Sequence, residues 1–308
     1  MEKSLARTKH DSQRTKIRSS IVDRASSIYC GDNLDILRNC VADRSVDLIY
    51  ADPPFNSGKP YHHTARKKDA PSFTDIWRFD PEQYQSALDI VPPPYARALA
   101  ALFGLIGESN AMAYCVFLAP RLAEMQRVLK PTGSLYLHLD TRMSPYARIM
   151  LDAAFGRENF RNEIAWSYRT GGAGKKHFAR KHDVILYFTA SNDYTFHPQY
   201  ERVRYHKKFF SAKKDEAGFY ADVLLRDVWE IPAVINVSSE RTGYPTQKPI
   251  ALLERIVAAS SNVGDVVLDP FCGSGTTLVA AKQLSRKWIG IDLNEEALAI
   301  AKERLTRD

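Results

Sequence analysis

The chain has 308 residues, 44% hydrophobic and 26% charged, an ordinary balance for a globular protein long enough to bury a full core. No apolar run approaches the roughly 18 residues of a membrane-spanning helix. The four cysteines (Cys30, Cys40, Cys115 and Cys272) form no CxxC pair, which argues against a disulfide framework or a zinc site and for a reducing compartment. The net charge of +7 is unevenly placed: residues 157–215 hold 13 Lys/Arg against 6 Asp/Glu, and residues 1–24 hold 7 against 3. Two concentrated basic segments suit a nucleic-acid-facing surface, although a merely solvated surface has the same composition.

In chain order, residues 1–24 read as a disordered basic arm. They lack the apolar stretch of a secretory signal, although a transit peptide would have similar composition. Residues 27–30 predict a short strand ending at Gly31-Asp32, and residues 46–51 a second, stopped by Asp52-Pro53-Pro54 because prolines cannot continue a central strand. Residues 113–129 carry Val116, Leu118, Leu122, Met125 and Leu129 at helical spacing and end at Lys130-Pro131-Thr132-Gly133. A strand at 134–139, a helix at 146–155 and strands at 162–168 and 183–189 follow. From 193 to 240 the periodicity fails, and this basic, aromatic stretch reads as an insert of irregular or mixed structure. Regularity returns with a helix from Lys248-Pro249 to about Ser260, a strand at 266–268 ending in Asp269-Pro270, and a helix at 276–284. A strand at 287–291 then ends in Asp292, and a last helix covers 295–305. Such alternation predicts an α/β fold: a doubly wound, mostly parallel sheet with ligands at the carboxyl ends of the strands.

The strongest local signal is Asp269-Pro270-Phe271-Cys272-Gly273-Ser274-Gly275-Thr276-Thr277, between a buried strand and a helix. Gly273 and Gly275 allow a tight turn and close approach to a ligand, and the helix start offers free N–H groups. Asp292 ends the next strand, where an acidic residue can accept from both hydroxyls of a ribose. The third glycine of a dinucleotide fingerprint is absent, and Gly171 to Lys176 lacks the spacing of a phosphate loop and reads as a mobile loop.

Together these residues resemble the β-class of amino-directed DNA methyltransferases. Residues 269–277 resemble their S-adenosylmethionine loop, Asp52-Pro53-Pro54-Phe55 their catalytic tetrapeptide, and Thr246-Gln247-Lys248-Pro249 the segment just before the loop. The order, with the catalytic motif first, then a variable region, then the loop, matches the circularly permuted β arrangement over roughly residues 28–305. The resemblance implies a Rossmann-like methyltransferase fold with a catalytic half at 25–192, a target-recognition insert at 193–240 and a cofactor-binding half at 241–308. It implies methyl transfer from S-adenosylmethionine to a base extruded from double-stranded DNA, without a metal, in the bacterial or archaeal cytoplasm. A homodimer and a partner restriction endonuclease are further implications.

The catalytic residues would be Asp52, Pro53, Pro54 and Phe55. An exocyclic amine is a poor nucleophile. Acceptors at the Asp52 carboxylate and the Pro53 carbonyl, stiffened by two prolines, would raise its electron density while Phe55 stacks on the base. The cofactor residues would be Asp32, Thr246, Lys248, Asp269, Phe271, Gly273, Ser274, Gly275, Thr276 and Asp292. Asp32 would meet the cofactor adenine or merely cap the following helix. Lys248 would close the methionine end or merely begin a helix. Arg202, Arg204, Lys207, Lys208, Lys213 and Lys214 would face phosphate, with His177, His182, His197 and His206 beside them. Tyr205, Phe209 and Phe210 would be wedges or core. His62-His63 lack partners for a metal site. An Asp at the first catalytic position usually accompanies adenine N6 in this family, and Ser cytosine N4. Adenine is therefore expected, with cytosine N4 the alternative. RNA or protein-glutamine methylation, or a silent DNA-binding subunit, are more distant readings.

Overall fold

The computed structural model describes residues 26–61, 73–169, 175–208 and 210–307. The basic arm, His62-His63, Gly171 to Gly174 and Phe209 lie outside the described residues. The main sheet has eight strands. In spatial order these are β1 (Ser27–Cys30), β13 (Lys287–Asp292), β12 (Val266–Asp269), β2 (Val46–Ala51), β5 (Leu129–Leu139), β7 (His182–Thr189), β6 (Phe160–Ser167) and β11 (Val228–Glu230). The first five run parallel, β7 runs against its neighbours, and β6 and β11 pair parallel. The expected mostly parallel α/β sheet is present.

Its two faces follow from the period-two alternation of strand side chains. In β2, Ile49 and Ala51 join one core, with Leu135, Leu137 and Leu139 of β5, while Leu48 and Tyr50 join the other. The first face is covered by α1 (Asn33–Cys40), α2 (Pro81–Ile90), α3 (Pro93–Ile106), α4 (Asn110–Val128) and α5 (Ser144–Phe155). The second is covered by α6 (Ile250–Ala259) and α7 (Thr276–Gln283), with α8 (Glu295–Arg307) against α7. Near-complete burial of a Leu or Tyr side chain is worth about 1.5–3 kcal/mol against leaving it exposed, so both faces contribute. Tyr136 and Tyr187, stacked at 4.3 Å, anchor the second core.

The pair α2–α3 was not anticipated. Asp80 caps α2 by accepting from Glu82 and Gln83 N–H groups, and Gly107 ends α3 at φ +57°. The stretch 193–240, expected to be irregular or mixed, holds short strands joined by loops. β8 (Tyr200–Tyr205), β10 (Gly218–Leu224) and β9 (Lys213–Asp215) form a small antiparallel sheet. β11 leaves that stretch to extend the main sheet beside β6.

One consequence of the topology dominates the rest. β1, β13, β12 and β2 are neighbours and parallel, so their carboxyl ends lie in a row. At or just beyond those ends stand Asp32, Asp292, Asp269 and Asp52. Residues up to 260 positions apart in sequence therefore share one edge of the sheet.

Candidate functional site

All four aspartates line one cavity of about 810 Å³, together with Pro53, Pro54, Phe55, Thr246, Lys248, Phe271, Gly273, Ser274 and Thr276. Of the expected catalytic and cofactor residues, Gly275 alone is not in the lining. It caps α7 at φ +78°, where a Cβ would stand 2.7 Å from that of Ala301. Only glycine suits that backbone and that approach. Gly273, at φ +48°, lies under the Tyr244 ring.

The loop after β12 is pinned from both sides. Asp269 accepts from Phe271 N at 3.0 Å and Thr277 Oγ1 at 2.5 Å. Burial pushes its carboxyl up to about 7. Asp292 accepts from Gly273 N and Asn294 N, both at 2.8 Å, one on each carboxylate oxygen. The Leu293 N–H also acts on this carboxylate, which leaves one acceptor position toward the cavity for a ligand hydroxyl. Burial also raises the Asp292 carboxyl. Arg304 donates to Ser274 O and Thr276 Oγ1 from outside the loop. The cavity, the glycine turn and the Asp292 carboxylate fit a nucleoside ligand.

Asp32 does both things expected of it: it caps α1, accepting from Leu34 N, and it lines the cavity. Its carboxylate is gripped by Arg121 at 2.8 Å. Arg121 was missed by sequence reasoning. It is buried, donates to Asn33 Oδ1 and Phe117 O, and lies 3.8 Å over the Phe117 ring. Burial holds its guanidinium below the usual arginine value, with Asp32 opposing that shift. Asn33 in turn donates to Pro270 O at 2.7 Å, tying the start of α1 to the glycine loop.

The Asp52 end is built differently. Lys248 Nζ is ion-paired with Asp52 Oδ2, so this lysine sits at the Asp52-Pro53-Pro54-Phe55 tetrapeptide rather than simply starting a helix. Asp52 Oδ1 is buried with no hydrogen-bond partner. Behind it lies His138, fully buried, with Nδ1 2.7 Å from Tyr50 Oη and Nε2 3.3 Å from Asp183 Oδ2. The Phe55 ring stands 5.6 Å from the His138 ring and 5.2 Å from Lys248 Nζ. The backbone after Pro54 is held by one buried carboxylate, Asp75. It accepts from Phe55 N at 3.1 Å, Asn56 N at 2.8 Å, Ser57 N at 2.7 Å and the Trp77 indole at 2.9 Å. His138, Asp183 and Asp75 were also missed. A lone polar residue in an apolar strand, as in Leu137-His138-Leu139, was the available signal.

The basic residues are distributed over the small sheet. Arg202 pairs with Asp222 at 2.8 Å and Arg204 with Asp215 at 2.7 Å, and Arg202 lies 4.0 Å over the Tyr220 ring. These two arginines are therefore already partnered within the sheet. Lys207, Lys208, Lys213 and Lys214 are exposed. His177, His182 and His206 are exposed too, while His197, also exposed, meets Asn262 at 2.9 Å. Tyr205 is half-buried and Phe210 exposed. Among the described residues no helix is long and apolar enough to cross a membrane.

An α/β sheet with a glycine turn and a DPPF tetrapeptide opening into one cavity defines a methyltransferase of the amino-directed class, and comparison with known proteins agrees. The model of the N6/N4 DNA methylase family matches residues 46–303. The chain is 33% identical over 279 residues to the Type II methyltransferase M.HpaI of Haemophilus parainfluenzae, covering 90% of this chain and 73% of that protein. It is 32% identical over 290 residues to the DNA adenine methyltransferase YhdJ of Escherichia coli (strain K12), covering 92% and 83%. The PvuII DNA methyltransferase (cytosine-N4-specific) has the same fold, with a TM-score of 0.58 at 16% identity over 91% of this chain and 86% of that one. The chain belongs to the N6/N4 DNA methylase family, whose methyl donor is S-adenosylmethionine.

Proposed function

We propose that the chain methylates adenine N6 at a specific sequence in duplex DNA, acting on a base rotated out of the helix. The observation that carries this reading is the shared cavity: the Asp52 carboxylate after β2 and the glycine loop after the adjacent, parallel β12 open into one space. When bound, S-adenosylmethionine supplies a methyl group already activated by its sulfonium. Asp292 accepts from a ribose hydroxyl, Asp32 from the adenine amino group, and Phe271 packs beside that ring. Gly273, Ser274, Gly275 and Thr276 shape the turn that lets the donor approach, with Asp269 holding the turn in place. Thr246 and Lys248 close the methionine end.

The target base lies on Phe55. Asp52 and the Pro53 carbonyl each accept from an N–H of the exocyclic amine, and Pro54 keeps the turn stiff. Methyl transfer would leave the nitrogen cationic until its proton passes to solvent, and the Asp52 carboxylate beside it would stabilise that developing charge more in the transition state than in the ground state.

Adenine is favoured by the aspartate at position 52 and by the likeness to a relative named as an adenine methyltransferase. Residues 193–240 serve as the target-recognition region, with Lys207, Lys208, Lys213, Lys214, Arg202 and Arg204 toward phosphate. We extend the proposal to work in the bacterial cytoplasm, where the DNA lies. We also propose a partner restriction endonuclease, in keeping with relatives named as Type II methyltransferases, and, as a separate proposal, a homodimer. The test is Asp52→Ala. Losing one acceptor whose bond strengthens in the transition state should slow methylation by about 100- to 1000-fold. Cofactor affinity and melting temperature, measured on the same sample, should stay near wild type. A folded variant methylating within about threefold of wild type would remove Asp52 from the mechanism.

A further inference from the structure

We propose that Lys248 sits in the seat of the target amino group and yields it only to a bound methyl donor, so that the donor must precede the base. The inference rests on the functional reading above.

Lys248 Nζ makes two contacts that the reaction assigns to the target base. It is paired with Asp52 Oδ2, and it lies 5.2 Å from the centre of the Phe55 ring. An ammonium is a nitrogen carrying donor hydrogens, so it satisfies Asp52 as an exocyclic amine would. The second oxygen offers no way round. Asp52 Oδ1 is buried without a hydrogen-bond partner, 4.0 Å from His138 Nδ1. With Oδ1 shut away, an incoming base must compete with the ammonium for Oδ2.

The lysine does not leave cheaply. It is nine-tenths buried, and so is most of Asp52. Separating such a pair with nothing in exchange strands a buried charge, one of the costlier events in a protein interior. The segment around the lysine is braced from within. The Gln247 side chain accepts from Thr242 N and Oγ1 and donates to Glu240 O, and Ile250 N donates to the Glu240 carboxylate. Thr246 is held at φ +61°, a strained setting for a β-branched residue. We therefore assign the exchange to the Lys248 side chain, with the backbone of 240–250 keeping its shape.

The donor supplies the exchange. Asp52 would exchange the ammonium for the positive charge of a sulfonium, and Lys248, in the same cavity, would take the donor's carboxylate as its new partner. A bare adenine is neutral and offers neither. Lys248 is thus a positioning residue: it fixes the order of binding through Asp52, and it keeps the catalytic carboxylate occupied until chemistry can follow.

The test maps the methylated position by sequencing DNA treated with wild type. A duplex is then made with 2-aminopurine beside the target adenine, which brightens when its neighbour leaves the stack. Sinefungin, carrying an amine where the sulfonium methyl lies, serves as the unreactive donor. For wild type, omitting sinefungin should lower the extruded fraction about tenfold or more. Lys248→Met should extrude the base with and without sinefungin to within about twofold, and Lys248→Arg should keep the dependence. Sinefungin affinity and melting temperature are measured on the same samples. Wild type extruding equally well without sinefungin would overturn the proposal, whatever the variants do. So would a folded Lys248→Met that still needs it. Absence of any methylated base after wild-type treatment would instead overturn the functional reading beneath it.

Discussion

The two ends of the cavity are held by opposite means. At the glycine loop, polar groups are spread over many partners: Asp292 on two backbone N–H groups, Asp269 on one backbone and one hydroxyl group, Arg304 on the outside, Asn33 across from α1. At the tetrapeptide, one carboxylate, Asp75, takes four donors, and Asp52 has one oxygen on Lys248 and one on nothing. The first arrangement suits a ligand that must be grasped in the same pose every cycle. The second suits a group that must change partners during the cycle. A buried acceptor with no partner has a desolvation cost of about 1–3 kcal/mol, which Asp52 Oδ1 carries at this end of the cavity.

The comparison is broken most sharply at Asp75. Asp75→Asn keeps the shape but leaves one oxygen where two stood, with an amide facing backbone donors. The tetrapeptide should shift by a fraction of a side chain and the methylation rate should fall on the order of 100-fold. Cofactor affinity should be almost untouched, which calorimetry on the same sample would show. Asp292→Ala should do the reverse, weakening S-adenosylmethionine binding by about 1–3 kcal/mol through lost charged hydrogen bonds, with the rate at saturating donor largely preserved. If both variants lowered affinity and rate alike, the two ends would not be independent.

A smaller effect is expected with pH. The Asp269 carboxyl is raised by burial, from 3.8 to about 7. Between those values the folded protein holds a proton that the unfolded chain has released, so this group's contribution to stability is full below about pH 4 and is lost as pH rises through about 7. Melting temperatures at pH 5 and pH 8 should therefore fall more for wild type than for Asp269→Asn. Equal falls would mean that Asp269 is ionised at pH 5. The smallest effect concerns the small sheet. Neutralising Lys207 and Lys208 together should lower the slope of log affinity for DNA against log salt by roughly 2. Neutralising Arg202 and Arg204 should change it less, because Asp222 and Asp215 already hold them. The reverse ranking would exchange their roles.

The sequence was legible where a motif interrupts a buried element. The strand at 46–51 stopped by Asp52-Pro53, the glycine turn after 266–268 and Asp292 after 287–291 all stand where they were expected. Parallel pairing then made neighbours of them, which the βα alternation implied. The sheet of β8, β9 and β10 was not legible because cross-strand ion pairs stand where alternating apolar side chains would have marked strands. Tyr200-Glu201-Arg202-Val203-Arg204-Tyr205 carries only weak alternation, and Arg202–Asp222 and Arg204–Asp215 bridge the strands. Arg121 was hidden in an apolar helix, and Asp75 lies far outside the tetrapeptide it supports. The Lys248–Asp52 pair joins residues 196 positions apart, a contact that no local pattern encodes.

We propose that this cavity brings the methyl group of S-adenosylmethionine to the amino group of adenine in DNA. The most direct measurement incubates wild type with methyl-labelled donor and unmethylated mixed-sequence duplex DNA. The DNA is digested to nucleosides, and the labelled one is identified by mass. The account predicts label in N6-methyladenine and a single sequence context around it. Label in N4-methylcytosine would contradict the choice of base, and DNA without label, from a protein shown to bind the donor, would contradict the account itself.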